Sequence, residues 1–272
     1  MVPVSRDLEA LTALLANEGF VAAHEEAAEL TARAAGDAEL LGSLVERRLT
    51  GEPLAWITGG VRFCDVDIRV DPGVYVPRWQ SGPLARRAAE RLPADGVAVD
   101  LCTGAGAIAK TLMVARPNAH VVASDIDERA VAGAAGNGVE VYRGDLFDPL
   151  PRWCKRCTDV VVGVVPYVPT AALSLLPRDT LTFESALSYD GGGEGTDILR
   201  RVVTDSVRFI RRGGALLLEL GGEQADALEG DLARHGYVDV NVLVDEEGDV
   251  RGLEATRGLE GMQVPVGRLG SR

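Results

Sequence analysis

From residue 95 onward the chain alternates short apolar runs with helical ones, and this alternation constrains the fold more than any other feature. "VAVDL" reads as a strand and "AIAKTLMVA" as a helix that stops before Pro117. "HVVASD" is a strand, and a helix follows from about Asp127 to Ala135. "EVYRGD" and "DVVVGV" are strands, and an amphipathic helix is expected from about Thr196 to Arg211. "ALLLEL", a helix from about Glu223 to His235, and the strands "VDVNVLVD" and "GLEATRG" complete the pattern. Strands that are apolar throughout and alternate with helices predict a mostly parallel sheet covered on both faces. Only "EEGDVR" separates the last two strands, so they are expected to pair antiparallel and leave one reversed strand.

The first 94 residues do not follow this rhythm. Leu8, Leu11, Leu14 and Leu15 share one helical face, and Ala/Glu/Leu-rich stretches continue to Leu49, with a break at Gly36-Asp37. These residues predict a cap of about three helices over 1–50, too short to be trusted as an independent domain. "FCDVDIRVDPGVYVPR" alternates apolar and polar positions as a β-hairpin would, with Asp71-Pro72-Gly73 as the expected turn between its arms. Ser81 and Pro83 open a helix running to about Leu92. The expected division is 1–50 helical cap, 51–80 hairpin linker and 81–272 sheet domain.

No apolar run is long enough to span a bilayer, and "MVPVSRDLEA" lacks the basic flank and apolar core of a secretion signal, so a cytoplasmic protein is expected. A net charge of −13 disfavours nucleic acid as a partner. The basic stretches "RRAAER" and "RRVV…RFIRR" read as solvated helix faces. "WCKRC" places Cys154 and Cys157 in metal-ligand spacing, yet no second pair or nearby histidine completes a site, and no metal is expected. The sequence does not set the oligomeric state.

"VDLCTGAG" puts Thr103, Gly104 and Gly106 between the first sheet strand and its helix, where a ligand can approach the backbone. Ala109 stands where a dinucleotide fingerprint carries its third glycine, a permitted variant, so the loop alone does not choose among nucleoside cofactors. Three acids narrow the choice. Asp100, Asp125 and Asp145 fall at the ends of three successive strands, on the carboxyl edge of an open sheet. Asp125, followed by Ile126, can hold a ribose diol. Asp145 can accept from an exocyclic amine, with Leu146 against the adenine. Asp100 suits a cationic amino group. Together they fit an amino acid joined to adenosine, S-adenosylmethionine.

"VVGVVPYVPT" (161–170) stops a valine-rich strand with Pro-Tyr and then sets a second proline. With "GEPLAWITGGVRFCDVDIRVDPGVYVPR", "DLCTGAGAIA", "GDLFDPLP", "FESALSYDGGGEGTDILRRV" and "GGALLLELG", it resembles the release-factor glutamine N5-methyltransferases over roughly residues 51–257, in the family's order. The resemblance implies a seven-stranded class I methyltransferase sheet, S-adenosylmethionine as cofactor, and a release-factor-like protein acceptor. It also implies that Val164, Pro166 and Tyr167 occupy the catalytic positions. There the family carries Asn-Pro-Pro-Tyr, whose asparagine, with backbone carbonyls, fixes the acceptor amide; this chain has Val164-Val165-Pro166-Tyr167. Ser81-Gly82 stands where the family has a Thr-Glu pair, and Ser185 replaces a proline after Glu184. Departures thus gather on the acceptor side. Other readings stay open: a small-molecule acceptor (amine, hydroxyl or carboxylate) oriented by Arg78, Tyr167 and Glu184 in a pocket walled by Trp79, a catalytically silent cofactor-binding homologue and, weakest, methylation of a nucleic base.

Overall fold

The computed structural model describes residues 7–176 and 178–259; the N-terminal stretch read for a leader lies partly, and the last residues of the expected sheet domain wholly, outside them. Three helices open the chain: α1 (Leu8–Asn17), α2 (Ala23–Ala34) and α3 (Ala38–Leu49). Asp37 caps α3, accepting from the Glu39 and Leu40 amides at 2.9 and 3.0 Å. Leu11, Leu15, Leu30, Leu44 and Val45 form a small core of their own, closed from below by Ile57 of α4 (Leu54–Thr58). Arg48 reaches across to Glu26 at 2.6 Å and lies 4.0 Å over the Phe20 ring.

A two-stranded ribbon follows, β1 (Gly60–Phe63) against β2 (Val66–Arg69). The hairpin was expected; its turn was misplaced. Cys64 and Asp65 both adopt positive φ, 46° and 63°, the left-handed pair that suits the twist of a two-residue hairpin. Asp71-Pro72-Gly73 is also a turn, with the Val74 amide donating to the Asp71 carbonyl, but it leads out of the ribbon. The segment beyond it joins no ladder. The Val76 amide instead donates to Glu184 Oε1 at 2.9 Å.

α5 (Gly82–Arg91) then leads into a seven-stranded sheet ordered β5-β4-β3-β6-β7-β9-β8. The strands are β3 (Val97–Leu101), β4 (His120–Asp125), β5 (Glu140–Arg143), β6 (Thr158–Gly163), β7 (Ile210–Glu219), β8 (Tyr237–Val244) and β9 (Val250–Arg257). All pairs are parallel except those of β9, which runs antiparallel to both β7 and β8. β6 is central and buried at every residue. Val160 and Val162 face one core with α5, α6 (Ala107–Ala115) and α7 (Glu128–Gly136). Val161 faces the other, with α9 (Asp197–Ser206) and α10 (Gln224–Arg234); the short α8 (Arg178–Phe183) precedes them.

α9 is shorter than its amphipathic pattern predicts. Ile210 and Arg211 belong to β7, where Ile210 pairs with Thr158 and Arg211 reaches Asp159 of the neighbouring strand at 2.5 Å. Cross-strand pairing and that ion pair override the helical periodicity. Among the described residues no helix is long and apolar enough to cross a membrane.

Candidate active site

The sheet reverses its order beside β3: the chain first adds β4 and β5 on one side, then returns to place β6 on the other. Such a switch point opens a crevice at the carboxyl ends of the strands. A cavity of about 200 Å³ lies there, lined by Cys102 and Gly104 after β3, by Asp125 and Ile126 after β4, and by Asp145 and Leu146 after β5. Val164 and Pro166 after β6 and Tyr75 from the segment beyond the ribbon close it. A narrower pocket of about 40 Å³, lined by Asp100, Thr103, Arg78 and Ser81, shares Tyr75, Cys102, Gly104 and Val164 with the first. At roughly 10–15 Å³ per water, the narrow pocket holds about three waters, enough for the polar end of a chain but not for a ring system.

The backbone of this crevice is bent to purpose. Cys102 and Leu146, neither of them glycine, hold left-handed conformations with φ of 53° and 48°. Non-glycine residues rarely adopt such angles, and they gather where a site dictates the chain's path. Gly104 needs its freedom: φ is +55°, and an added Cβ would meet only the Tyr75 carbonyl at 3.9 Å, so its face stays open to a ligand. Gly106 serves differently. It caps α6 with φ of +81°, and a Cβ there would press into Val139 and Ala134 at 2.9 and 3.1 Å. It was expected to touch the cofactor; it lines neither pocket and instead seats α6 against α7.

The three acids hold different surroundings. Asp100 is 1% exposed, and its Oδ2 accepts from the Thr103 hydroxyl at 2.6 Å and the Ala109 amide at 3.1 Å. Burial pushes its carboxyl up to about 7, and those two bonds pull against the rise. Thr103, read as a cofactor contact, thus also orients Asp100. Asp125 accepts from the Gly104 amide on one oxygen and the Asp127 amide on the other, both at 2.9 Å. Burial raises its pKa as well, against the pull of those amides. Asp145 is half-exposed and pairs with Arg201 of α9 at 2.7 Å. That arginine also lines the cavity. It sits in the basic stretch read as a solvated helix face, a reading that the structure also revises at Arg211, which lies in β7.

The candidate acceptor residues divide. Glu184 is buried and fully engaged: Oε1 takes the Val76 amide, and Oε2 takes Arg78 at 2.5 Å together with the Tyr189 hydroxyl. It clamps the 74–78 segment onto the 184–189 loop, so the carboxylate expected to orient an acceptor is occupied by the protein's own donors. Arg78 is held by that clamp, with its guanidinium carbon 5.2 Å from the centre of the Tyr75 ring, and it still lines the narrow pocket. Trp79, expected to wall a pocket, is 75% exposed and lines neither pocket. Aromatic residues at strand-poor turns have no enforced inward direction, and here the 3-10 turn at Trp79–Ser81 points the indole outward.

The segment that follows β6 reaches the cavity through Val164 and Pro166 but not through Tyr167. The Tyr167 hydroxyl donates to Glu219 Oε1 at 3.1 Å, and its ring packs toward the α9/α10 core. The aromatic wall of the cavity is therefore Tyr75, which sequence reasoning missed. Its pKa is pushed up to about 12 by burial, so it stays a phenol. Of the "WCKRC" pair, Cys154 sits in the core and Cys157 bonds the Trp153 carbonyl; both are free thiols.

No protein-family model matches the chain. It is 37% identical over 225 residues, 78% of each chain, to the release factor glutamine methyltransferase of Moorella thermoacetica. To the protein of the same name from Mycolicibacterium smegmatis it is 33% identical over 273 residues, covering 92% of this chain and 96% of that one. Among solved structures, the ribosomal protein L11 methylase of Lactobacillus delbrueckii subsp. bulgaricus superposes with a TM-score of 0.50 at 18% identity, over 71% of this chain and 86% of that one, a likeness of fold. Identity of 37% over 78% of the chain and of 33% over 92% of it is kinship along most of its length, and the chain belongs to the release factor glutamine methyltransferase family.

Proposed function

We propose that the chain transfers a methyl group from S-adenosylmethionine to a glutamine side chain of a release factor. The observation that carries this is the crevice at the switch point, with acids from three consecutive strand ends opening onto one cavity and its narrow extension. The residues fit the cofactor's chemistry. Asp125, fixed by two backbone amides, offers accepting lone pairs to a ribose diol, while Ile126 and Leu146 offer apolar faces to a purine and Asp145 an acceptor to its amine. The narrow pocket, with Asp100 and Thr103 at its wall, suits an ammonium and carboxylate end. When bound, S-adenosylmethionine supplies an electrophilic methyl on a sulfonium.

The chain's own residues then supply position. Tyr75 and Val164 line both pockets and Pro166 lines the first, where they would wall the acceptor's approach. Holding acceptor and donor in line is where such a site gains most of its rate. A release factor is the acceptor supported by the names of relatives that match 78% and 92% of the chain. A cytoplasmic location follows from that acceptor. The division into cap (1–50), linker (51–80) and methyltransferase domain (81–272) belongs to the same proposal, the cap and ribbon framing the acceptor side.

The cofactor assignment is tested by Asp125→Asn, which keeps shape and one accepting oxygen. Losing a charged hydrogen bond worth about 1.5–3 kcal/mol should weaken S-adenosylmethionine binding by roughly ten- to a hundredfold in calorimetry. Unchanged affinity would remove Asp125 from the ribose site.

A further inference from the structure

Arg201 is, among the described residues, the one cation that lines the cavity of the candidate active site. It rises from α9, whose Leu199, Val202 and Val203 are sealed in the core, so its backbone rides on a rigid element while its side chain stays half-exposed. Its Nη2 donates to Asp145 Oδ2 at 2.7 Å. Neither partner is used up by that bond. Among the described residues no hydrogen bond engages Asp145 Oδ1, and none engages Nε or Nη1 of Arg201. The pair therefore offers an unused acceptor and unused donors side by side. Ile126 and Leu187, both half-exposed, line the same cavity with Leu146 and Ile198. Bare apolar side chains next to such a pair suit a flat heterocycle whose polar edge carries both a donor and an acceptor. An anion is disfavoured, because Asp125, Asp127 and Asp145 share the cavity with this single arginine.

We propose that Arg201 reads the purine of the cofactor: its guanidinium donates to a ring nitrogen of the adenine while Asp145 Oδ1 takes the neighbouring exocyclic amine. That amine is flanked on either side by a ring nitrogen that accepts, so amine and nitrogen together require one acceptor and one donor. A carboxamide side chain supplies this pattern from a single group when it reads adenine. Here a carboxylate and a guanidinium, fixed to one another, supply it from two. A purine with a carbonyl in place of the amine would, in the same pose, turn an acceptor toward the carboxylate, so the pair also selects the amino base. This role rests on the binding of S-adenosylmethionine proposed above.

The test measures by calorimetry how wild-type protein and Arg201→Met bind S-adenosylhomocysteine, the demethylated cofactor, and its 1-deaza and 7-deaza analogues, each of which lacks one of the flanking ring nitrogens. Methionine keeps an apolar stem and removes the donors. In wild type, one of the two analogues should bind about ten- to a hundredfold more weakly than the parent, the loss of a charged hydrogen bond. Arg201→Met should bind the parent more weakly by a similar factor, and there the same analogue should match the parent within about twofold. An arginine that only steadies Asp145 would weaken all three ligands alike and leave the difference between them standing. Analogues that both match the parent in wild type, a parent affinity unchanged in Arg201→Met, or a penalty that persists in that variant would each overturn the contact. Should Arg201→Met fail to fold, as judged by its melting transition, Arg201→Ala decides by the same criteria. A wild-type protein that binds none of the three ligands gives a separate answer: it overturns the cofactor assignment, and the role of Arg201 with it.

Discussion

At the residue scale, Asp100 and Val164 show how one crevice sets different demands on neighbouring positions. Asp100 is held with its carboxyl near 7 by burial, well above its value in an unfolded chain. Between pH about 4 and 7 the folded state therefore keeps a proton that the unfolded state has released, so this residue's contribution to stability falls as pH rises, by about 1.4 kcal/mol per unit. Asp100→Asn, which keeps an acceptor for Thr103 and Ala109, should become more stable relative to wild type across that window in urea melts without cofactor. A constant difference would refute the buried, neutral Asp100. Val164 lines both pockets with methyl groups alone. If the acceptor is an amide, Val164→Asn adds a polar partner and should raise turnover on release factor about tenfold; turnover that stays flat or falls would mean a pocket rebuilt for something else. Asp125, Asp145 and Leu146 could be placed at the crevice from sequence, because strand ends and loops locate them without knowledge of side-chain direction. Trp79, Tyr167 and Glu184 could not, since what each touches depends on packing between segments as far apart as 76 and 184.

At the element scale, the strand–helix alternation foretold every strand of the sheet, because each strand of a parallel sheet is apolar enough to be seen locally. The errors fell where local and distant demands compete. The ribbon turn went to Cys64-Asp65, of which only Asp65 is a usual turn residue, rather than to the conspicuous Asp-Pro-Gly. α9 lost its last predicted turn to the β7 ladder. Gly106 gives this scale its prediction. Because a Cβ there meets Val139 and Ala134 while φ stays positive, Gly106→Ala should cost about 1–3 kcal/mol and loosen α6. Thermal melting checks the first, and hydrogen exchange of the Lys110 and Thr111 amides checks the second. Wild-type stability in that variant would mean that α6 and α7 are less tightly seated than this packing requires.

At the scale of the whole molecule, the seven-stranded sheet carries the crevice at its switch point, and the helical cap and ribbon precede it in the chain. The Glu184 clamp on Val76 and Arg78 ties the 74–78 segment to the loop after α8, and the Trp56 indole, donating to the Val74 carbonyl at 2.9 Å, braces that segment from α4. Val164, which offers no polar atom, lines both pockets, while the strand-end acids Asp100, Asp125 and Asp145 each line one of them. The chain belongs to the release factor glutamine methyltransferase family, and its methyl acceptor is the claim to test. The most direct test incubates the purified protein with methyl-labelled S-adenosylmethionine and extract from its own source, then separates macromolecules from small molecules by ultrafiltration. Label in a protein band of release-factor size, on glutamine after hydrolysis and analysis, is the predicted result. Label only in the small-molecule fraction, or in neither fraction while the cofactor still binds, would contradict it.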